Sequence, residues 1–177
     1  MIEPEVPPPL AAGPLHTLLS DSCLQLLFDR LCRVVADRLD VPVCLASLVG
    51  TDRQSFLGAH GLQDPWRTAR RTPLSHSFCR FVVERDARLA VRDTRLAPGY
   101  REIPSVHSLG VVAYAGLPIR VGDAGPLGSF CAIDQVPRNW RLGELAVLEE
   151  YAALAGELID ARLSDAPPAA LPAVAGV

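Results

Sequence analysis

Two segments with helical periodicity, one near each end of the chain, enclose a series of short apolar segments separated by turns that contain glycine and proline. This order restricts the fold more than any other feature of the sequence. The first helical segment begins at Asp21 or Ser22, either of which is a suitable N-cap, and its pattern ends near 40–42. Its apolar positions are Leu24, Leu27, Phe28, Leu31, Val34 and Val35.

Between the helical segments, the sequence predicts two hairpins, a short helix, a single strand and a long loop. In chain order these are a hairpin of 43–49 and 55–60, a short helix that carries Phe78, Phe81, Val82 and Val83, a strand at 89–92, a loop at 93–108, and a hairpin of 110–119 and 127–133. Pro118 favours an edge or strand-end position, because proline has no N–H for a central ladder. We therefore expect an antiparallel sheet with helices on its faces, which is the α+β class.

The last helical segment carries two apolar stripes, and each stripe needs a surface to cover it. One stripe consists of Leu145, Leu148, Ala152, Ala155 and Ile159, and the other of Tyr151, Leu154 and Leu158. One of them is expected to cover the sheet. The other could meet the same surface of a second copy, so the sequence predicts a homodimer.

Proline marks the limits of the folded domain. Half of the 16 prolines lie in residues 1–14 and 165–177. Segments rich in proline and alanine bury too little apolar surface to offset their conformational entropy. We therefore expect a disordered tail at 1–17, one domain at 18–163 and a second disordered tail at 164–177.

Composition excludes several classes of function. The formal net charge is −3, and all 17 basic residues are arginine, interspersed with acidic ones, so neither nucleic acid nor an anionic membrane is an expected partner. No apolar run reaches the length of about 18–20 residues that a membrane-spanning helix needs.

The five cysteines are scattered, with no CxxC pair, and the N-terminus has no signal-peptide pattern. The expected location is a reducing cytoplasm.

Several blocks of the sequence, in this order, resemble the GAF domain, in particular the bacterial branch found with sensor histidine kinases, diguanylate cyclases and phosphatases. The blocks are Ser-Phe-Cys-Arg-Phe-Val-Val at 77–83, Leu-Ala-Val-Arg-Asp-Thr-Arg at 89–95, Tyr-Ala-Gly-Leu-Pro-Ile at 114–119, Leu-Gly-Ser-Phe-Cys-Ala-Ile-Asp at 127–134 and Pro-Arg at 137–138. The resemblance covers about 20–162. It implies a five- or six-stranded antiparallel sheet, with the terminal helices on one face and a short helix and loops over a small-molecule pocket on the other.

The better-known chemical subclasses of this family do not match the residues present. Cyclic-nucleotide-binding members carry a signature with lysine, and this chain has no lysine. Bilin-binding members attach their chromophore through a cysteine usually followed by histidine, whereas Cys79 is followed by Arg80. Free methionine-(R)-sulfoxide reductases group cysteines in and near the pocket loop, and 93–108 contains none. No cofactor is assigned.

Six side chains are the candidates for lining or orienting a ligand. They are Phe78, Cys79, Asp93, His107, Tyr114 and Cys131. Asp93 and Tyr114 have alternative explanations as a turn cap and a core side chain. A basic cluster at Arg67, Arg70 and Arg71 could meet an anion, although a solvated loop explains it as well.

The cysteines at 79 and 131 are the only positive signal for chemistry. Cys79 falls in the first turn of the short helix, where Ser75 or Ser77 as cap, the helix dipole and Arg80 would favour the thiolate. Alternation places Cys131 on the same strand face as Leu127, Ser129 and Ile133. The two thiols could therefore meet in the pocket, or both could simply pack in the core. Metal or haem ligation through His76 or His107 is a weaker hypothesis, and no metal site is assigned.

The sequence thus predicts a sensor domain that binds a small molecule or senses redox state, and that relays its state through dimeric terminal helices to a separate kinase, phosphatase or other output protein. No catalytic residue is assigned. If the chain is an enzyme, it is a thiol reductase resembling free methionine-(R)-sulfoxide reductase, which would use Cys79 or Cys131. A third possibility is a dimerisation module without a ligand.

Overall fold

The structure, a computed structural model, describes residues 14–123 and 125–164. Six strands form one antiparallel sheet. They are β1 (Val43–Val49), β2 (Arg53–His60), β3 (Arg71–Pro73), β4 (Leu89–Val91), β5 (Ala113–Arg120) and β6 (Pro126–Asp134). Their order across the sheet is β3-β2-β1-β6-β5-β4, so that the two strands closest to the centre are β1 and β6.

Helices lie before, between and after the strands. They are α1 (Pro14–Ser20), α2 (Ser22–Leu39), α3 (Trp66–Ala69), α4 (Cys79–Arg85), α5 (Ser105–Ser108) and α6 (Leu142–Leu163), with a 3₁₀ turn at Leu74–His76. None of the helices in the described ranges is both long and apolar enough to cross a membrane.

The two long helices pack on the same face of the sheet and run antiparallel. The Asp21 carboxylate accepts the backbone N–H of Leu24 at 3.0 Å and caps α2. Ion pairs between Arg162 and Asp21 at 2.6 Å, and between Arg38 and Glu150 at 3.9 Å, link the two ends of the helix pair. The cap at Asp21 agrees with the sequence prediction.

Alternation along the strands divides the buried side chains into two cores. On the helix side, residues of β1, β2, β5 and β6 pack against α2 and α6. The opposite face packs against α4, α5 and the loops. Strand residues of the helix-side core are Cys44, Ala46, Leu48, Leu57, Ala115, Leu117, Ile119, Phe130 and Ala132. Those of the opposite core are Val43, Leu45, Phe56, Leu89, Val91, Tyr114, Cys131 and Ile133.

Arg138 ties three elements together at one end of the molecule. Its guanidinium bonds Asp134 at 2.9 Å and Glu144 at 2.5 Å, which connects the end of β6 to the start of α6. The same group donates to the backbone carbonyls of Leu39 and Asp40, where α2 ends. This hub fixes the register of the two long helices over the sheet.

The predicted α+β class and antiparallel sheet are confirmed, and three local features differ from the sequence prediction. Residues 14–17 belong to α1, because Leu18 is fully buried against the helix-side core. The short α3 and β3 were not predicted, since neither is long enough to show periodicity. Leu127 packs on the helix side, because the register shifts between Ile119 and Arg120 and a bulge breaks alternation there. The remaining parts of the predicted tails, 1–13 and 165–177, lie outside the described residues.

The structure also separates the two stripes of α6. Leu145, Leu148, Ala152, Ala155 and Ile159 are all buried and form the core stripe. In the second stripe, Leu158 is buried, but Tyr151 and Leu154 keep part of their surface exposed.

Pro118 of β5 pairs with β6 on one side and lies beyond the end of β4, which pairs only with Tyr114, Ala115 and Gly116. Because no strand pairs with Pro118 on the β4 side, the lack of a proline N–H removes no hydrogen bond of the sheet there.

Candidate functional site

The two cysteines singled out from the sequence meet between α4 and the centre of the sheet. Ser77 accepts the backbone N–H of Arg80 at 3.1 Å and starts α4, so that Cys79 in its first turn is buried against the sheet. Cys131 lies on β6, between Leu45 of β1 and Gly116 of β5. The distance between the Sγ atoms of Cys79 and Cys131 is 3.8 Å. Both thiols are free and buried.

Tyr114 adds a hydroxyl to this thiol pair. Its Oη donates to Cys79 Sγ at 3.4 Å and lies 3.3 Å from Ser129 Oγ. The side chain reaches this position by lying over Gly116, two residues further along the same strand face. A Cβ atom at Gly116 would lie 2.3 Å from Tyr114 Oη and 2.8 Å from Ser129 Oγ. Glycine is therefore needed here for the tyrosine to contact the thiol.

This environment makes the two thiols unequal. The hydrogen bond from Cys131, helped by the hydroxyls of Tyr114 and Ser129 and opposed by burial, lowers the pKa of Cys79 to about 7. The same hydrogen bond, together with burial, raises the pKa of Cys131 well above its usual value. Burial also raises the pKa of Tyr114, which keeps the phenol as a hydrogen-bond donor. Cys79 is thus the more acidic of the two thiols.

Arg80 does not account for the lowered pKa of Cys79. Its guanidinium carbon lies over the ring of Phe81, 4.6 Å from the centroid. The cause is therefore the neighbouring thiol and hydroxyl groups on the sheet rather than the positive charge expected from the sequence.

A cavity of about 20 Å³ lies beside the thiols. It is lined by Leu45, Gln54, His76, Phe78, Cys79, Ser105, Leu109, Val111, Tyr114, Cys131 and Ile133. Phe78 stacks on Tyr114 at a centroid distance of 5.1 Å, and these two rings occupy much of the space between α4 and the sheet. Because a buried water needs about 10–15 Å³ measured in this way, the cavity holds one very small molecule.

Two polar groups at the cavity differ in how they are satisfied. Gln54 is fully engaged, since its side chain accepts from Ser77 Oγ at 2.6 Å and donates to Thr72 Oγ1 at 2.8 Å. Ser105 is only 1% exposed, and within the described residues its Oγ atom has no hydrogen-bond partner. Such a group is costly to bury, so the site has an unused hydrogen-bonding position.

Of the six predicted ligand-contacting residues, the structure brings Phe78, Cys79, Tyr114 and Cys131 together and places the other two elsewhere. His107 is exposed, because α5 turns Ser105 and Val106 inward and the following residue outward. Asp93 forms an ion pair with Arg95 at 2.7 Å and accepts its backbone N–H, at a surface groove beside β4. Neither residue lines the cavity.

The weaker hypotheses from the sequence receive no geometric support. His76 lines the cavity, but burial lowers its pKa, and its ring packs on Trp66. Among the described residues, no group of three or more His, Cys, Asp or Glu side chains could hold a metal ion. In the basic cluster, Arg67 pairs with Asp64, and Arg70 pairs with Asp29 and also donates to backbone carbonyls.

The sequence prediction did not include seven residues of the site: Leu45, Gln54, Ser105, Leu109, Val111, Ser129 and Ile133. Six of them line the cavity, and Ser129 bonds the tyrosine. Ser129 had a signal, because alternation from Cys131 places it on the same face. Ser105 and Leu109 had none, since they belong to an irregular segment whose side chains are positioned by tertiary packing.

The chain was compared with known proteins. It is 31% identical over 131 residues to a cyclic di-GMP phosphodiesterase of Pseudomonas aeruginosa, and the match covers 72% of this chain but only 21% of that protein. The chain thus spans about a fifth of the length of that relative.

Solved structures share the fold at low sequence identity. A domain of a two-component sensor histidine kinase from Sinorhizobium meliloti superposes with a TM-score of 0.66 at 17% identity, covering 82% of this chain and 97% of that one. A type II free methionine-R-sulfoxide reductase from Thermoplasma acidophilum gives a TM-score of 0.62 at 14% identity, covering 77% and 92%. The GAF domain model matches residues 24–159. This chain therefore belongs to the GAF domain family.

Proposed function

We propose that this GAF domain is a regulatory sensor in signal transduction whose input is the oxidation of Cys79 and Cys131 to a disulfide. The observation that carries the proposal is the Sγ–Sγ distance of 3.8 Å between two free thiols of unequal pKa. A disulfide needs a separation of about 2 Å, which a small shift of α4 toward β6 supplies. In the reaction, the two thiols lose two electrons and two protons to a two-electron oxidant.

The size of the cavity favours redox sensing over the binding of a larger ligand. Sites for small molecules usually have volumes of about 300–1,000 Å³. The groove of about 600 Å³ beside β4 lies on the surface and away from the thiols. A ligand of ordinary size would therefore need α4 and α5 to move away from the sheet.

The thiol reductase is the competing function, because a nucleophilic cysteine with a second thiol 3.8 Å away is also what such an enzyme needs. The cavity of about 20 Å³ argues against it, since free methionine sulfoxide has ten non-hydrogen atoms. Turnover of that substrate in a thioredoxin-coupled assay, lost in Cys79→Ser, would replace the sensor proposal with the enzyme.

The proposal predicts a defined product and a defined pH dependence. Treatment with hydrogen peroxide should give one intramolecular disulfide, assigned by peptide mass spectrometry to Cys79 and Cys131. Because thiolate reacts and the pKa of Cys79 is lowered to about 7, the rate should rise with pH to a midpoint about 7 and fall about tenfold per unit below it. A midpoint near 9, or a disulfide between other cysteines, would contradict the proposal. Cys23→Ser is the control, since Cys23 is the exposed thiol.

Adjacent residues of β6 connect the thiols to the terminal helices. Cys131 faces the cavity, and its neighbour Phe130 faces the helix side, where its ring lies 6.0 Å from that of Tyr151 on α6. A shift of β6 on disulfide formation would therefore change the packing of α6. The signal acts only if the two states of the thiols favour different helix arrangements.

We propose that the outer face of α2 and α6 binds a second copy of this chain. Apolar side chains that remain partly or fully exposed follow both helices at spacings of three and four residues: Leu27, Leu31 and Val34 on α2, and Val147, Tyr151 and Leu154 on α6. Exposed Arg30 lies on α2, whereas exposed Glu157 lies on α6. A two-fold axis that places α2 against the partner's α6 would pair these opposite charges.

The dimer is tested by Leu154→Glu, which places a carboxylate in the centre of the proposed interface. We expect a folded monomer by size-exclusion chromatography with light scattering, because Leu154 is only half-buried within one protomer. Leu96→Glu is the matched control, since Leu96 is 80% exposed beside β4, far from α2 and α6, and should leave the dimer intact. A wild-type monomer, or equal effects of the two variants, would exclude this interface.

A further inference from the structure

We infer that the oxidant detected at Cys79 is hydrogen peroxide, which enters past Leu109 and is held by Ser105, and that larger organic hydroperoxides are excluded. This inference rests on the proposed oxidation of the thiol pair and specifies its substrate. It concerns residues of α5 and of the turn that follows it, which the thiol chemistry itself does not need.

The cavity matches hydrogen peroxide in size and polarity. Its volume of about 20 Å³ exceeds what one water requires and falls far short of an aryl or branched alkyl group. Hydrogen peroxide donates two hydrogen bonds and accepts others, so it needs polar partners. Ser105 supplies one, since its buried Oγ atom has no partner among the described residues and its side chain lines the same cavity as Cys79.

Leu109 lies between this cavity and a larger groove on the surface. It lines the inner cavity, and it also lines an outer groove of about 430 Å³ together with polar residues that include Asp64, Ser108 and Gln135. Leu109 is only half-buried, and Gly110 follows it at a φ of +65°, a left-handed conformation that suits a turn. A small polar molecule in the groove is therefore one side chain away from the thiols.

The oxidation of the two thiols proceeds in two steps. The Cys79 thiolate attacks one oxygen of hydrogen peroxide, the O–O bond breaks, and the departing hydroxide takes a proton to leave as water, while the sulfur becomes sulfenic acid. The sulfur of Cys131 then attacks the Cys79 sulfur, the S–O bond breaks, and the oxygen leaves as a second water with the proton from Cys131. In total, two thiols and one hydrogen peroxide give one disulfide and two waters.

The test measures the rate of Cys79–Cys131 disulfide formation with hydrogen peroxide and with cumene hydroperoxide at one pH. The wild type should react with hydrogen peroxide much faster than with cumene hydroperoxide. Leu109→Ala should raise the cumene hydroperoxide rate at least about tenfold, because the barrier between groove and cavity is shortened. Leu109→Val is a milder version that keeps the test valid if the alanine variant unfolds.

Ser105→Ala tests the positioning role of the hydroxyl. The hydrogen peroxide rate should fall about tenfold, the effect of about one hydrogen bond, while the pH midpoint of the ultraviolet absorbance of the Cys79 thiolate stays unchanged. A structural effect alone would shift that midpoint as well. Ser22→Ala, at an exposed serine on α2 that lines neither the cavity nor the groove, is the matched control and should change neither the rate nor the midpoint.

The outcomes separate this inference from the proposed function. If neither hydroperoxide gives the disulfide, the proposed thiol sensor itself is wrong. If the disulfide forms but wild type accepts both oxidants equally, or if Ser105→Ala and Ser22→Ala behave alike, the selection of hydrogen peroxide at this cavity is overturned while the thiol sensor stands.

Discussion

Replacing Cys79 by serine is expected to abolish the intramolecular disulfide and to lower the rate of reaction with hydrogen peroxide at least about tenfold at pH 7. The reason is that the two thiols differ in pKa. The pKa of Cys79 is lowered to about 7, whereas the hydrogen bond with Cys79 and burial raise the pKa of Cys131 well above its usual value, so Cys79 supplies the thiolate. The rate is measured as loss of peroxide and of free thiol under single-turnover conditions.

Cys131→Ser should give a different result from Cys79→Ser. Cys79 can still be oxidised, but no second thiol is present to resolve the sulfenic acid, which should accumulate and appear by mass spectrometry as the addition of one oxygen atom. Loss of the Cys131 hydrogen bond, the largest cause of the lowered pKa, should also move the midpoint of the pH profile upward. Equal reactivity of the two single variants would show that the thiols are not assigned to distinct roles.

Replacing Leu148 by glutamate is expected to unfold the domain. Leu148 has 0% exposure in the core between α6 and the sheet, and Leu148→Ala alone should lower the free energy of unfolding by about 2–5 kcal/mol. The glutamate variant adds the cost of burying a carboxylate without a partner, which exceeds the reserve of a typical domain. Urea unfolding measures the alanine variant, and circular dichroism detects the loss of structure in the glutamate variant.

The contrast with Leu154→Glu makes this prediction specific. Both leucines lie on α6, yet Leu154 is on the outer stripe and keeps part of its surface exposed. Its glutamate variant should stay folded and lose only the dimer. If Leu148→Glu kept the wild-type unfolding midpoint, the assignment of the core stripe would be wrong.

Local patterns predicted most of the secondary structure. The apolar spacing of α2 and α6, the turns of the two hairpins and the cap at Asp21 all depend on neighbours within a few residues, so they can be recognised along the chain. Strand alternation also placed Cys131 and Ser129 on one face correctly. It was wrong at Leu127, where a bulge makes two residues oppose one and reverses the face.

The candidate site could be predicted only in part. Four of the six proposed residues converge at the cavity: Cys79, Tyr114 and Cys131 lie on regular elements whose inner faces are set by periodicity, and Phe78 directly precedes α4. His107 and Asp93 lie in the segment between β4 and β5, where no periodicity in the sequence indicates which side chains point inward. Ser105 and Leu109 of the same segment were missed for the same reason.

By itself, the sequence determined the element order, the α+β class and the inward-facing positions of Cys79 and Cys131, since these follow from short-range periodicity and composition. Only the tertiary structure decided that the two thiols lie 3.8 Å apart, that Cys79 is the more acidic one and that the cavity is very small. These properties depend on distances between residues 52 positions apart in the chain, and on burial, which the packing of α4 against the sheet sets.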